Sequence, residues 1–500
     1  MKLGVFSILI FALVCVYSAL GEVGSASCNL GEALDLYFGE SYELALDVLD
    51  KTLDECPGSS DAWNLEGCVL YGLEEYGSAV DAFDRALRID PSDVDAWNNR
   101  GNAHYQLGRY EDAVVSYDQA LALAPSYANA WYNKGSALDL LDEHEDAIGC
   151  YDHVIEIDPS DEGAWNSKGQ SLGDLGRDEE AIECYDRALK LDPSDADAWN
   201  NKGNALYVLG RYGEAVDCYD RALDIDPSDA DVWYNKGTAL RSMKKHEEAV
   251  GCYDHAVGID PFDGDSWINK GVALSDLGRY EEAVASYDRS LELDPSRGDA
   301  WNKKSAALYE LGRYEEAVVS YDQALDLGPS DADAWYKKGS ALRNLKRYKE
   351  AVECYDQVIG IDPSYASVWR SKGLALSGLG RYEEAAECYD KVMEFDSSDA
   401  GVWNEMGRSL YDLGRYEEAV CSYNQALELE PSNVAIWCDK CMALDDLGRY
   451  QEAVECYDQV IMLDPLNLTA WGNKGDDLYK LGRYRDAVSC YNKVVTFKSA

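Results

Sequence analysis

Apolar and polar positions recur along this chain with a period of 34 residues. In the period of Trp199, Gly203 and Leu206 stand four and seven residues after the Trp. That spacing puts the three on one face of a helix. Ala215, Tyr219 and Ala222 repeat the i, i+4, i+7 pattern further on and form the face of a second helix. Gly210-Arg211 separates the two stretches, as a helix ending in a left-handed glycine would. Asp226-Pro227-Ser228-Asp229 follows the second. Proline cannot continue that helix, and Ser or Asp is expected to cap the next one. The pattern predicts two helices per period and an all-α chain.

The register holds along nearly the whole sequence. All 13 Trp residues obey it, from Trp63, Trp97 and Trp131 to Trp471. Gly follows four residues later except at Ser305 and Cys441, Ala sixteen later in every period, and Tyr twenty later except at Phe83. A glycine there lets the partner helix approach closely. Each Trp is expected to lie in the core, where its loss to Ala costs about 3–5 kcal/mol. Lys stands three residues after the Trp in ten periods, from Lys134 to Lys474, and Arg100 in another. Its stem is expected to pack beside the buried stripe, with its ammonium reaching Asp columns such as Asp186 and Asp220.

A period of 34 built on these columns resembles the tetratricopeptide repeat family. The likeness covers residues 60–500 as thirteen units. Residues 26–59 read as a degenerate N-terminal capping repeat, with Tyr42, Ala45 and Pro57 in register but Asn29 and Ala33 in place of the Trp and Gly. The resemblance implies a right-handed superhelical solenoid of helix-turn-helix repeats, an α-α superhelix. It also implies that the first helices line a long concave groove. The last unit is expected to leave an apolar face for end-to-end self-association.

Opposite the buried stripe lie the positions two before and two, five and nine after each Trp. Asp occupies the first of these at Asp95, Asp197 and Asp231. Asn occupies the second at Asn99, Asn133, Asn201, Asn235 and Asn269, and the third at Asn102 and Asn204. An amide side chain both donates and accepts, so a row of them can hold a peptide backbone regardless of its sequence. The row looks like the asparagine ladder in the repeat region of O-linked N-acetylglucosamine transferases. These ten residues are the candidate peptide-binding set. A second period lies above the first: Tyr132, Tyr234 and Tyr336 are 102 residues apart, and the same units carry Asp142, Lys244 and Lys346 in place of the turn glycine. Duplication of a three-repeat block accounts for it.

The formal net charge is -49, from 94 acidic and 45 basic residues. Such a surface repels nucleic acid and anionic membranes and suits basic partners. Residues 1–21 read as a secretory signal peptide: Lys2, an apolar run from Leu3 to Leu20, then small residues at Ala19 and Gly21. An uncleaved anchor is the alternative, and either reading places the rest outside the cytoplasm. Eight of the 15 cysteines share one repeat position, among them Cys150, Cys218 and Cys456. Equivalent sites in neighbouring repeats stand about a helix spacing apart, too far for a disulfide, and read as small packing residues. Cys28 and Cys56 flank the cap unit and are the candidate disulfide in an exported chain. Cys438 and Cys441 form a C-x-x-C inside a helix, without a second pair or a histidine at zinc spacing. The five His give no ligand set, and no phosphate-binding loop, G-x-S-x-G or H-E-x-x-H is found. The expectation is therefore a non-catalytic scaffold without cofactor or metal, its partners being proteins or extended peptides, with a basic character favoured by the charge. The alternatives are an end-to-end assembling cell-surface component and a non-catalytic subunit of an enzyme complex.

Overall fold

A computed structural model describes residues 30–498, and all regular structure among the described residues is helical. Among the described residues 28 helices run in pairs, a shorter first and a longer second, as in Ala196–Val208 and Tyr212–Ile225. Ten of the fourteen first helices start on a capping Ser, Asp or Asn, the exceptions beginning after Leu30, Tyr127, Arg297 and Tyr365. The Asp195 carboxylate accepts from the Ala198 amide at 3.0 Å, which satisfies an otherwise unpaired helix-end donor. The linker serine has another task. Asp192 Oδ1 accepts from the amide and the hydroxyl of Ser194 at 2.8 and 2.6 Å, so Ser braces the Pro-Ser turn while Asp caps. The first helix ends on Gly210 at φ 73°, with the Arg211 amide donating back to the Leu206 carbonyl at 2.9 Å. Glu74, Asp142, Lys244 and Lys346 take the same left-handed conformation at φ 59–62° in their units, and Glu40 does so in the first pair.

The largest buried side chain of most units is the second-helix tyrosine. Tyr219 is 1 % exposed, Ala215 and Ala222 are buried beside it, and the ring lies against Gly203. A Cβ on Gly203 would stand 2.5 Å from Tyr219 Cε1, which is why that column admits almost no side chain. The tryptophans correct the expectation of a core column. Each is half-buried, and in twelve of the thirteen the indole N–H donates to the linker carbonyl six residues back, as Trp199 does to Pro193 at 3.1 Å, the exception being Trp369, whose Nε1 has no partner. Trp therefore pins the linker between repeats, with one edge of its ring left to solvent. Lys packs over that ring, Lys134 Nζ lying 5.5 Å from the Trp131 centroid. It also reaches back to the preceding repeat, where Lys134 meets Asp118 at 2.6 Å and Lys304 meets Asp288 at 2.6 Å. Lys202 and Lys236 pair with Asp186 and Asp220 as the columns suggest.

The first pair, Gly31–Phe38 and Tyr42–Glu55, has the same build on a core of Ala33, Ala45 and Leu49. The chain divides after Ile259 into two compact units. Within each, every helix packs on its chain neighbours, and first helices of consecutive repeats touch one another more than second helices do. The first helices therefore lie on the inner side of each stack. Residues 1–21 and Cys28 lie outside the described residues, and so do the signal-peptide reading and the Cys28–Cys56 pairing. No described helix is long and apolar enough to cross a membrane.

The cysteine column needs one correction. Seven of its members are free and buried, Cys150 and Cys218 among them, and burial pushes both of those thiols up to about 11. Such thiols are unreactive packing groups. Cys456 instead forms a disulfide with Cys441, at a Cα–Cα distance of 5.5 Å. Cys441 stands in the glycine column, where the two helices of one unit come closest, so the bond joins helices within a repeat.

Candidate functional site

The face predicted to bind lies on the first helices, and its asparagines turn out to be coupled across repeats. Each of four donates from Nδ2 to the Asn just after the Trp of the preceding repeat. Asn99 meets Asn64 at 3.3 Å, Asn133 meets Asn98 at 3.1 Å, Asn201 meets Asn166 at 3.2 Å and Asn235 meets Asn200 at 3.1 Å. A helix wheel cannot show this, because each partner is 35 residues away.

The predicted set then separates by burial. Asn99 is 2 % exposed, with its amide between Asn64 and Cys68. Asn133 donates both to Asn98 and to Asn102, and Asn102 Oδ1 also accepts from the Tyr117 hydroxyl at 2.8 Å. These three hold repeats together and have little left for a ligand. Asn204 accepts from the Tyr219 hydroxyl at 2.8 Å and braces the core tyrosine. Asn201 and Asn235 are half-buried, and an amide with one N–H committed keeps a second donor and an acceptor. Asn269 is half-buried and donates to the Asp265 carbonyl of its own helix at 3.1 Å. Of the aspartates, Asp197 and Asp231 are exposed. Asp95 is half-buried and accepts from the Tyr127 hydroxyl at 2.9 Å. Burial raises its carboxyl, and that hydrogen bond partly offsets the rise.

A row of tyrosines on the same helices escaped the sequence reading. Tyr105, Tyr207, Tyr309 and Tyr411 stand eight residues after their Trp and are 102 apart. Each meets the first tyrosine of its own second helix edge-on or tilted, as Tyr105 meets Tyr110 at 5.4 Å and Tyr309 meets Tyr314 at 5.2 Å. Three of the hydroxyls meet the next repeat: Tyr207 lies 3.4 Å from the Ser242 hydroxyl, Asn344 donates to Tyr309 at 2.9 Å, and Tyr411 donates to Asp446. The three-repeat spacing was visible in Tyr132, Tyr234 and Tyr336 and would have found this row too. His153 and His255, also 102 residues apart, are structural. They lie against Trp131 and Trp233 at 4.3 and 4.4 Å.

Two polar residues break apolar columns. His104 takes the place held by Leu in the other twelve repeats and is 5 % exposed, with neither ring nitrogen bonded. Asp477 takes a place held mostly by Ala and is 0 % exposed. No cluster of His, Cys, Asp and Glu able to hold a metal occurs among the described residues.

Comparison with known proteins bears on the whole chain. Tetratricopeptide repeat models match residues 94–127, 128–161, 230–263 and 264–297, residues 166–230, 303–366 and 336–400, residues 434–467, and residues 468–500. A TPR repeat model matches residues 67–108 and 407–440. No curated protein matches. Among solved structures, YrrB, described as a TPR protein with an unusual peptide-binding site, is 27% identical over 38% of this chain and 97% of its own, with a TM-score of 0.35. MamA is 25% identical over 33% and 96%, with a TM-score of 0.32. The APC/C hetero-tetramer Cut9-Hcn1 is 15% identical over 89% and 95%, with a TM-score of 0.34. With matching models spread from residue 67 to residue 500, the chain belongs to the tetratricopeptide repeat family and has the build of a protein-interaction scaffold.

Proposed function

We propose that this protein is a non-catalytic extracytoplasmic scaffold that holds extended peptides along a groove on the inner side of its first helices. The observation that carries the reading is the amide row at Asn201 and Asn235, cross-braced by Asn166 and Asn200. The bracing fixes each amide without exhausting it, so donors and acceptors are presented at a set interval, pre-ordered for a peptide backbone. The tyrosine row alongside adds flat, rigid contact area. The acid excess favours basic partners. Export is supported by the N-terminal pattern and by the Cys441–Cys456 disulfide, a bond typical of oxidising compartments.

Selection of twelve-residue peptides against the purified protein, followed by fluorescence polarisation, tests the reading. Replacing Asn201, Asn235 and Asn269 together by Ala is expected to weaken the selected peptides by about tenfold or more, the loss of at least one net hydrogen bond, with the helical signal intact. Unchanged affinity removes the amide row from the function. Self-association is the second reading. It is favoured by Val488 and Val495, which are 55% and 66% exposed, whereas Val454 and Leu427 in the same columns are 4% and 7% exposed.

A further inference from the structure

A cavity of about 480 Å³ opens on the first-helix face of the last three repeats. Tyr411 and Tyr479 stand on its walls with Asp445, Asp446 and Asp476, and Lys480 is its one cation. The first N-terminal counterpart of this place shows what it lacks. There Asp139 sits in the same column as Asp445 and is fully served. Ser171 Oγ donates at 2.8 and 3.0 Å, the Tyr151 hydroxyl donates at 2.8 Å, and His144 Nδ1 lies at 3.1 Å. In the last repeats the serine's column holds Asp477 and the histidine's column holds Tyr450. Two carboxyl groups therefore face each other, and Lys480 reaches both, contacting Asp445 closely and Asp477 at 3.4 Å. Asp477 follows the lining residue Asp476 in the chain, is completely buried, and its Oδ2 has no hydrogen-bond partner. Burial first, and Asp445 after it, push the Asp477 carboxyl up to about 7. Asp446 takes the Tyr411 hydroxyl and Asp476 the Tyr491 hydroxyl, which leaves further lone pairs on both exposed carboxylates.

We infer that this cavity is a socket for the cationic head of an arginine or lysine side chain on a bound peptide. A guanidinium entering between Tyr411 and Tyr479 has ring faces to stack on and the carboxylates of Asp446 and Asp476 to bond. It supplies the positive charge that one ammonium against three lining carboxylates leaves wanting. The inference rests on the peptide-binding reading and gives it a partner chemistry: a basic side chain anchored on the first-helix face of the last three repeats.

The test uses the full chain and fluorescein-labelled twelve-residue Gly-Ser peptides that carry one central arginine or, in its place, the uncharged isostere citrulline. The arginine peptide is expected to bind about tenfold more tightly, the scale of a charge-assisted hydrogen bond. Asp446→Asn with Asp476→Asn is expected to erase that preference and leave citrulline binding unchanged. Glu353→Gln with Glu387→Gln, on exposed second-helix sites, removes equal charge elsewhere and is expected to preserve the preference. Equal loss in both double variants overturns the socket in favour of diffuse charge. Peptide binding that depends on Asn201 and Asn235 but ignores arginine also overturns it and leaves the groove standing. Acetylarginine amide that binds with the same Asp446 and Asp476 dependence, while peptides gain nothing, supports the socket and ends the groove reading.

Discussion

Replacing His104 by Leu is expected to stabilise the repeat of Trp97 and to remove an acid sensitivity. The other twelve repeats place Leu here, and those leucines are 0–6 % exposed. His104 is equally buried, yet neither Nδ1 nor Nε2 has a partner. Leaving a buried polar group unbonded costs about 1–3 kcal/mol, and Leu, similar in volume, adds apolar burial of the order of 1 kcal/mol. A gain of about 2 kcal/mol at pH 8 follows. Burial, and then the neighbouring Arg100, hold the imidazole below its ordinary value. Arg109 acts the same way, and Asp112 and Asp84 oppose them. A base with a lowered folded value binds its proton more readily when unfolded. Stability from this group is therefore fully present above about pH 6.5 and falls as pH drops below it, by up to about 1.4 kcal/mol per pH unit, until the folded imidazole itself protonates. Since repeat arrays open locally, the assay is hydrogen exchange over Val94–Gln106 at pH 8 and 5.5, corrected for intrinsic rates. The wild-type helix is expected to lose protection at the lower pH relative to the His104→Leu protein. Identical pH profiles, or a less protected variant, refute the reasoning.

Lys244→Gly and Lys346→Gly are each expected to raise stability by about 1 kcal/mol, because both residues sit at φ 60–61° where a side chain is strained. A fall in the urea midpoint of either variant contradicts this. If the last helix self-associates, light scattering mass rises with concentration and Val488→Asp returns it to the monomer value; a constant mass in the parent protein disposes of that reading.

Much of the fold was legible because each column has a single local cause. Ala215 is small because two helices touch there, Gly203 is bare because Tyr219 lies on it, and Gly210 adopts a positive φ. The site was less legible because its contacts run between repeats. An angle measured round one helix puts Asn99 opposite the core, yet the neighbouring repeat buries it against Asn64. The same reckoning put Trp199 wholly inside, although its indole N–H is drawn outward to the Pro193 carbonyl. The Cys441–Cys456 bond escaped because the close approach marked by the glycine column was not applied to the one unit where Cys replaces Gly.

In a solenoid, departures from a column are more informative than the column itself. Thirteen repeats solve one packing problem in nearly the same way, so each column records the residue that the local geometry prefers. A polar residue that survives in an apolar column opposes that preference with a measurable cost. His104 and Asp477 are such residues, at opposite ends of the array, and burial shifts their titration in directions that make opposite demands on pH. For Asp477, a carboxyl raised when folded contributes stability below about pH 4 that is lost as pH rises through the folded value. Acid therefore weakens the N-terminal repeats through His104, while base weakens the C-terminal repeats through Asp477. A cation held in the inferred socket would oppose only the second effect, by lowering the cost of ionising Asp477. On that inference, occupancy of the C-terminal cavity and order in the last repeats are linked.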